Sequence, residues 1–201
     1  MTTSSNSISR LREGNQRFVD SNSRHAGRAA REDLSRGQNP LAVVLACSDS
    51  RVPVEMVFDQ GFGDLFVIRV AGNIVAPSQI GSVEFAVTQF GTKLVVVLGH
   101  SNCGAIKATL DELSLDATHR SPNLRAIVDR VRPVVEPVLR ACNGEVNAAS
   151  LRAATEANVR ASVAHLRHGS LLLEQLIDAG DLTVVGANYS ISTGEVEFLE
   201  D

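Results

Sequence analysis

Cys47, Asp49, His100 and Cys103 are the residues of this 201-residue chain whose types and spacing could do chemistry together. A short apolar run, Leu41 to Ala46, leads into Cys47-Ser48-Asp49-Ser50-Arg51, and another, Leu94 to Leu98, leads into Gly99-His100-Ser101-Asn102-Cys103-Gly104. Two thiolates, an imidazole and a carboxylate suit a tetrahedral zinc ion, whereas magnesium and calcium take oxygen ligands. Any one of these residues alone reads more simply as structure, a small buried thiol or a histidine hydrogen-bonded in a turn. Four candidate ligands at two strand ends, in a chain with three cysteines and five histidines, are hard to assign to core packing.

A structural zinc is closed by four protein ligands, and a catalytic zinc keeps one position for water. Asp49 decides between them. On the metal it closes the site; drawn away by Arg51 in a bidentate ion pair, it leaves the fourth position open. The sequence leaves both settings available. Two thiolates donate more charge than two further imidazoles would, so this zinc is a weaker acid than a three-histidine one and activity is expected to rise toward alkaline pH.

The elements that must place these residues follow from the hydrophobic pattern. Leu41–Ala46, Leu65–Val70 and Leu94–Leu98 are continuous apolar runs that fit strands buried on both faces of a parallel sheet. Val184–Ala187 is a fourth, weaker strand, with Glu195–Leu199 able to pair with it through the turn at Thr193-Gly194. Helical spacing falls between them, over 78–90, 105–115, 123–142 and 148–179, with Pro133 and Pro137 expected to kink or divide the third and a break near Gly169 in the fourth. The fold class is therefore α/β: a mostly parallel central sheet of four parallel strands and a fifth, antiparallel edge strand, flanked by helices. In such a sheet both ligand loops reach the carboxyl edge, where ligand crevices form. Short helices over Ser7–Val19 and Ala29–Arg36 make an N-terminal arm, residues 1–37, with too little apolar surface to be a domain; it is expected to pack on a partner subunit.

Length and composition favour a single domain over 1–201. A net charge of -4 without a block of like charge argues against nucleic acid, and no apolar stretch is long enough to cross a membrane. Three cysteines cannot build a disulfide framework, and acidic residues interrupt the Ser- and Arg-rich start, so a mature cytoplasmic protein is expected. Gln60-Gly61-Phe62-Gly63-Asp64 reads as a turn, since it precedes a strand and lacks the third glycine of a dinucleotide loop. His25 lies in the arm, and His119, His165 and His168 lie in polar contexts; Cys142 reads as a helix-end core residue.

These motifs resemble the β-class carbonic anhydrases, and within them the plant-type subgroup. The signature stands as ACSDSR at Ala46–Arg51 and GHSNCGAIK at Gly99–Lys107. The likeness runs from Leu11-Arg12-Glu13-Gly14-Asn15 to Tyr189 and is closest from Gln38 to Lys107. It implies one Zn2+ per chain on Cys47, His100 and Cys103, with Asp49 and Arg51 as a dyad beside the metal. The implied reaction is attack of zinc-bound hydroxide on carbon dioxide, giving bicarbonate and a proton, with Asp49 gating and orienting the hydroxide. The substrate slot it implies comprises Gln38, Phe66, Ala71, Phe85 and the Gly104 N–H, although spacing alone makes Gln38 a turn residue. Phe85 stands where many plant-type relatives carry Tyr, and Ala71 where they often carry Val, which points to a wider pocket. The noncatalytic bicarbonate site of a second subgroup needs a Trp; this chain has none, and Val44 lies in that region, although Arg69 and Tyr189 match other parts. A homodimer or homotetramer is implied. The competing readings are a carbonyl sulfide or carbon disulfide hydrolase on the same scaffold, and a zinc-stabilised module without catalysis. Arg51 argues against the last, because a closed structural site needs no competitor for Asp49.

Overall fold

The computed structural model describes residues 3–24, 35–112 and 122–200. Five strands form one sheet: β1 Ala42–Ala46, β2 Leu65–Arg69, β3 Leu94–His100, β4 Thr183–Tyr189 and β5 Val196–Phe198, in the order β2-β1-β3-β4-β5. The first four are parallel, and β5 pairs antiparallel with β4, as the sequence pattern predicts. Helices cover both faces: α1 Ser4–Val19, α2 Val54–Val57, α3 Pro77–Phe90, α4 Gly104–Glu112, α5 Pro122–Ala141, α6 Ala148–His168 and α7 Leu171–Asp178, with a 3-10 turn at Ala71–Asn73.

Every side chain of β1 and β3 is buried, which is why these strands read as unbroken apolar runs. Val43, Leu45, Val95 and Val97 face a core completed by Val83 of α3, Val159 and Leu166 of α6, and Leu173 of α7. Val44, Val96 and Leu98 face the opposite core, completed by Leu11 of α1, Val57 of α2 and Phe58. A third apolar cluster caps the strand ends, where Ile106 and Leu110 of α4 meet Val131 and Val135 of α5 and Ala154 of α6 around Cys47 and Cys103. The candidate ligands therefore sit on a packed floor at the carboxyl edge.

The expected break in the last long helical segment falls at Gly169, and Ser170 caps α7 by accepting a hydrogen bond from Leu173 N. Pro133 and Pro137 do not divide α5, which runs through both. Each proline removes one backbone donor, but the buried stripe Val128, Val131 and Val135 is continuous across them. Cys142 lies just past that helix and is half-buried, outside the core.

The arm begins earlier than expected, at Ser4, with the Thr3 hydroxyl capping Asn6 N. Its buried stripe lies on its own chain. Leu11 is fully buried, a Cβ at Gly14 would collide with the Phe58 carbonyl, and Arg17 forms a 2.6 Å ion pair with the buried Asp59. The expected helix over 29–36 falls largely outside the described residues.

Candidate metal centre

β1 and β3 are hydrogen-bonded neighbours, with Ala46 opposite Leu98. Cys47 consequently leaves the sheet beside Gly99 and His100, which continue β3 opposite Asn188 and Tyr189 of β4. Cys103 returns to them at the mouth of α4, after a turn in which Asn102 takes a positive φ of 54°. The two sulfurs lie 4.0 Å apart, and the ligand atoms of Cys47, His100 and Cys103 all fall within 4.8 Å of one another.

The imidazole of His100 is fully buried. Its Nδ1 lies 3.0 Å from the Ser101 carbonyl, which can only accept, so the proton of the neutral ring is on Nδ1 and the Nε2 lone pair is free. Nε2 has no hydrogen-bond partner. A buried nitrogen left without one is costly, and a metal ion satisfies it. The two thiols share a hydrogen bond that draws the Cys47 thiol well below the ordinary range, with the Gly72 N–H adding to the effect; the same contact, with burial, pushes Cys103 up. One proton held between two sulfurs is displaced when a cation binds both. Two sulfurs and one imidazole nitrogen thus fit zinc.

Asp49 stands apart from the other three. The Arg51 Nε donates to its Oδ1 at 2.9 Å and Nη2 donates to Oδ2 at 2.7 Å, while the backbone N of Arg51 adds a third bond at 2.9 Å. These bonds hold the Asp49 carboxyl far below the usual carboxylate range. Its Oδ2 remains 3.9 Å from His100 Nε2, at the edge of the ligand cluster. Arg51 also reaches the Asn102 carbonyl at 3.2 Å, tying the two ligand loops together.

Two supports are not legible as such in the sequence. Arg69, singled out in the sequence only as a match to part of a second subgroup's bicarbonate site, donates to the carbonyls of Cys47 (3.1 Å) and Asp49 (2.6 Å) and so clamps the loop between them. Gly72 donates its N–H to the Cys47 sulfur at 3.3 Å. The Gly-Asn pair after a strand is a turn signal, but nothing in it says that the turn serves a thiol.

Of the expected pocket residues, Gly104 opens α4 beside Cys103, and Ala71 adjoins Gly72. Gln38, Phe66 and Phe85 are not brought to the centre within one chain. Gln38 is exposed and precedes β1, whereas Cys47 follows it, a separation of about 17 Å of strand. Phe66 pairs with Val43, about 13 Å of strand short of Cys47. It packs with Phe85 and Phe90, with ring centroids 6.2 and 6.0 Å away, and Phe85 is half-exposed. Val44 is fully buried in the core and Tyr189 nearly so. His165 and His168 are exposed, His25 and His119 lie outside the described residues, and residues 62–64 form a turn before β2. Among the described residues no helix is long and apolar enough to cross a membrane.

The carbonic anhydrase family model matches residues 42–196. The chain is 39% identical over 186 residues to carbonic anhydrase 2 of Mycobacterium tuberculosis, covering 92% of this chain and 87% of that one. Its fold matches the solved beta-carbonic anhydrase CcaA with a TM-score of 0.75 at 30% identity, covering 96% of this chain and 92% of that one. A tetrameric beta-carbonic anhydrase of the ascomycete Sordaria macrospora matches with a TM-score of 0.77 at 23% identity, covering 98% of each. The chain belongs to the β-carbonic anhydrase family, and it is an enzyme of the carbonic anhydrase type, a lyase.

Proposed function

We propose that carbon dioxide hydration in this chain runs at one zinc ion held by Cys47, His100 and Cys103, with Arg51 keeping Asp49 off the metal. The observation that carries this reading is the split among the four candidate ligands. Three ligand atoms converge within 4.8 Å, and both oxygens of the fourth are engaged by Arg51. Three protein ligands and one open position describe a catalytic zinc, not a structural one. Zinc bound there supplies the Lewis acidity that lets water ionise near neutral pH and attack carbon dioxide.

The chain's own residues do the rest. Asp49 keeps lone pairs beyond those given to Arg51 and, from the edge of the cluster, accepts a hydrogen bond from the attacking water and orients it. Arg51 fixes that carboxylate and keeps it charged. The Gly104 N–H, at the first turn of α4, faces developing negative charge on the product. Gln38 and Phe66 lie at the far edge of their own sheet, so they can line this slot only from a second copy. A homodimer, or a homotetramer built from it, is therefore part of the reading, with the exposed side of the arm available to the partner. The three free thiols fit the reducing cytoplasm.

The test is stopped-flow hydration of carbon dioxide from about pH 6.5 to about 9 on protein of measured zinc content. Hydration near neutral pH that rises toward alkaline pH is expected. Fully zinc-loaded protein without hydration at any pH would overturn the reading and leave sulfur-gas hydrolysis or a structural zinc.

A further inference from the structure

We infer that Asn158, in the middle of α6, is a positioning residue for the metal centre, holding the Gly72 N–H on the Cys47 sulfur through the Gly72 carbonyl. The inference rests on the reading of Cys47 as a zinc ligand.

Gly72 lies in the 3-10 turn at φ 72°, ψ 21°, and the following Asn73 has a φ of 42°. Two successive left-handed residues, one of them not glycine, persist only where the surroundings hold them. A side chain at Gly72 would also press on the Ala105 methyl at 3.1 Å, so the turn is wedged between Cys47 and the start of α4. Two side chains of α6 hold it. Asn158 Nδ2 donates to the Gly72 carbonyl at 2.8 Å, and Ser162 Oγ donates to the Asn73 carbonyl at 3.1 Å. They stand one turn apart on one helix face, 3% and 5% exposed, among buried residues that include Ala154, Val159, Val163 and Leu166, together with Ser150 and Thr155, whose hydroxyls donate to the nearby Asn147 and Leu151 carbonyls.

Packing alone does not call for them. A buried amide and hydroxyl that reach outside their own helix are tolerated only with partners there, and apolar residues of the same size would fill the space without that demand. Their partners are the two carbonyls that follow the N–H directed at a ligand sulfur. Those carbonyls belong to the two peptide planes that follow Gly72, and anchoring them restricts the φ and ψ at Gly72 through which its N–H, in the preceding plane, is aimed. A hydrogen bond to a ligand sulfur lowers its donor strength and orients it, so α6 tunes the thiolate without touching the metal.

The test loads the full-length protein with cobalt(II) in place of zinc and reads the sulfur-to-metal charge-transfer band. Zinc affinity is measured in parallel, by competition with a chromophoric chelator. Asn158→Leu should move the band to longer wavelength and weaken zinc about tenfold or more. Val163→Ala, a cavity on the same helix away from the turn, should lower thermal stability and leave both readings in place. Asn158→Leu with wild-type band position and zinc affinity would overturn the inference, whatever its melting temperature. If that variant does not fold, Ser162→Ala decides: a smaller shift in the same direction supports the inference, and no shift overturns it. Failure of wild-type protein to bind either metal would instead sink the zinc reading itself, a result visible before any variant is made.

Discussion

In the proposed site Arg51 separates a working centre from a closed one, because Asp49 has two places to go: the guanidinium that now holds both its oxygens, or the ligand cluster 3.9 Å from its edge. Arg51→Ala should let the carboxylate turn to the metal, reducing carbon dioxide hydration by about a hundredfold while zinc content stays stoichiometric. Wild-type turnover in that variant would refute the gating role. The pH dependence of the pair has a definite sign. Arg51 depresses the folded-state pKa of Asp49, so the pair's contribution to stability is present above the ordinary carboxylate value of about 4 and is lost as pH falls through the lower folded-state value. The stability difference between wild type and Asp49→Asn, measured by urea unfolding, should thus be flat from about pH 6 to about 9 and shrink only in acid. A difference that changes across the neutral range would show that Asp49 titrates there and contradict the pairing. At this scale the candidate ligands are legible in the sequence because two thiols and an imidazole stand at or close beyond the ends of apolar strands. Arg69 and Asn158 are not, since each acts on a backbone carbonyl and carries no signature of its own.

At the scale of elements, the sequence predicts the strands well because β1 and β3 are buried on both sides, and a residue buried on both sides must be apolar wherever it points. It predicts helix ends less well. Pro133 and Pro137 look like breaks, yet one buried stripe carries α5 past both. The docking of α1 was hidden as well, because it depends on a buried asparagine that looks like a surface residue. Asn15 Nδ2 donates to the Val57 carbonyl at 3.0 Å and the Gly194 carbonyl at 2.8 Å, and its Oδ1 accepts from Val196 N at 2.8 Å. One side chain thus joins the arm, the end of α2 and the β4–β5 hairpin. Asn15→Ala leaves those backbone groups without their partner and should destabilise the zinc-loaded protein by about 3 kcal/mol in urea unfolding at fixed protein concentration. Zinc stoichiometry should be unchanged, because none of the three bonds touches the metal loops. A loss below about 1 kcal/mol would mean that water replaces Asn15 and that the apolar contact of Leu11 alone docks the helix.

For the whole molecule, strand register decides which expected slot residues one chain can bring to its own centre. Gln38 and Phe66 match the family's substrate slot in sequence, but strand register puts them at the opposite end of the sheet from Cys47. That could not be read from the motif, because sequence position does not say at which end of the sheet a residue falls. β2 is an edge strand, and Phe66 and Val67 on it are only half-buried, leaving an apolar edge for a second copy to cover. The proposed sharing of the slot has a consequence that subunit mixing can measure. Gln38→Ala and Asp49→Ala should each be strongly impaired alone, one lacking the slot's donor and the other the residue that orients water. Mixed under conditions that exchange subunits, they form hybrids in which one site combines the intact Asp49 of one chain with the intact Gln38 of the other. Half of the dimers are hybrids, and each holds one fully competent and one doubly defective site, so activity should recover to about a quarter of wild type. If Gln38 serves the zinc of its own chain, or no zinc at all, every metal centre in the mixture keeps its original defect. Activity would then equal the average of the two variants, and the shared slot would be excluded.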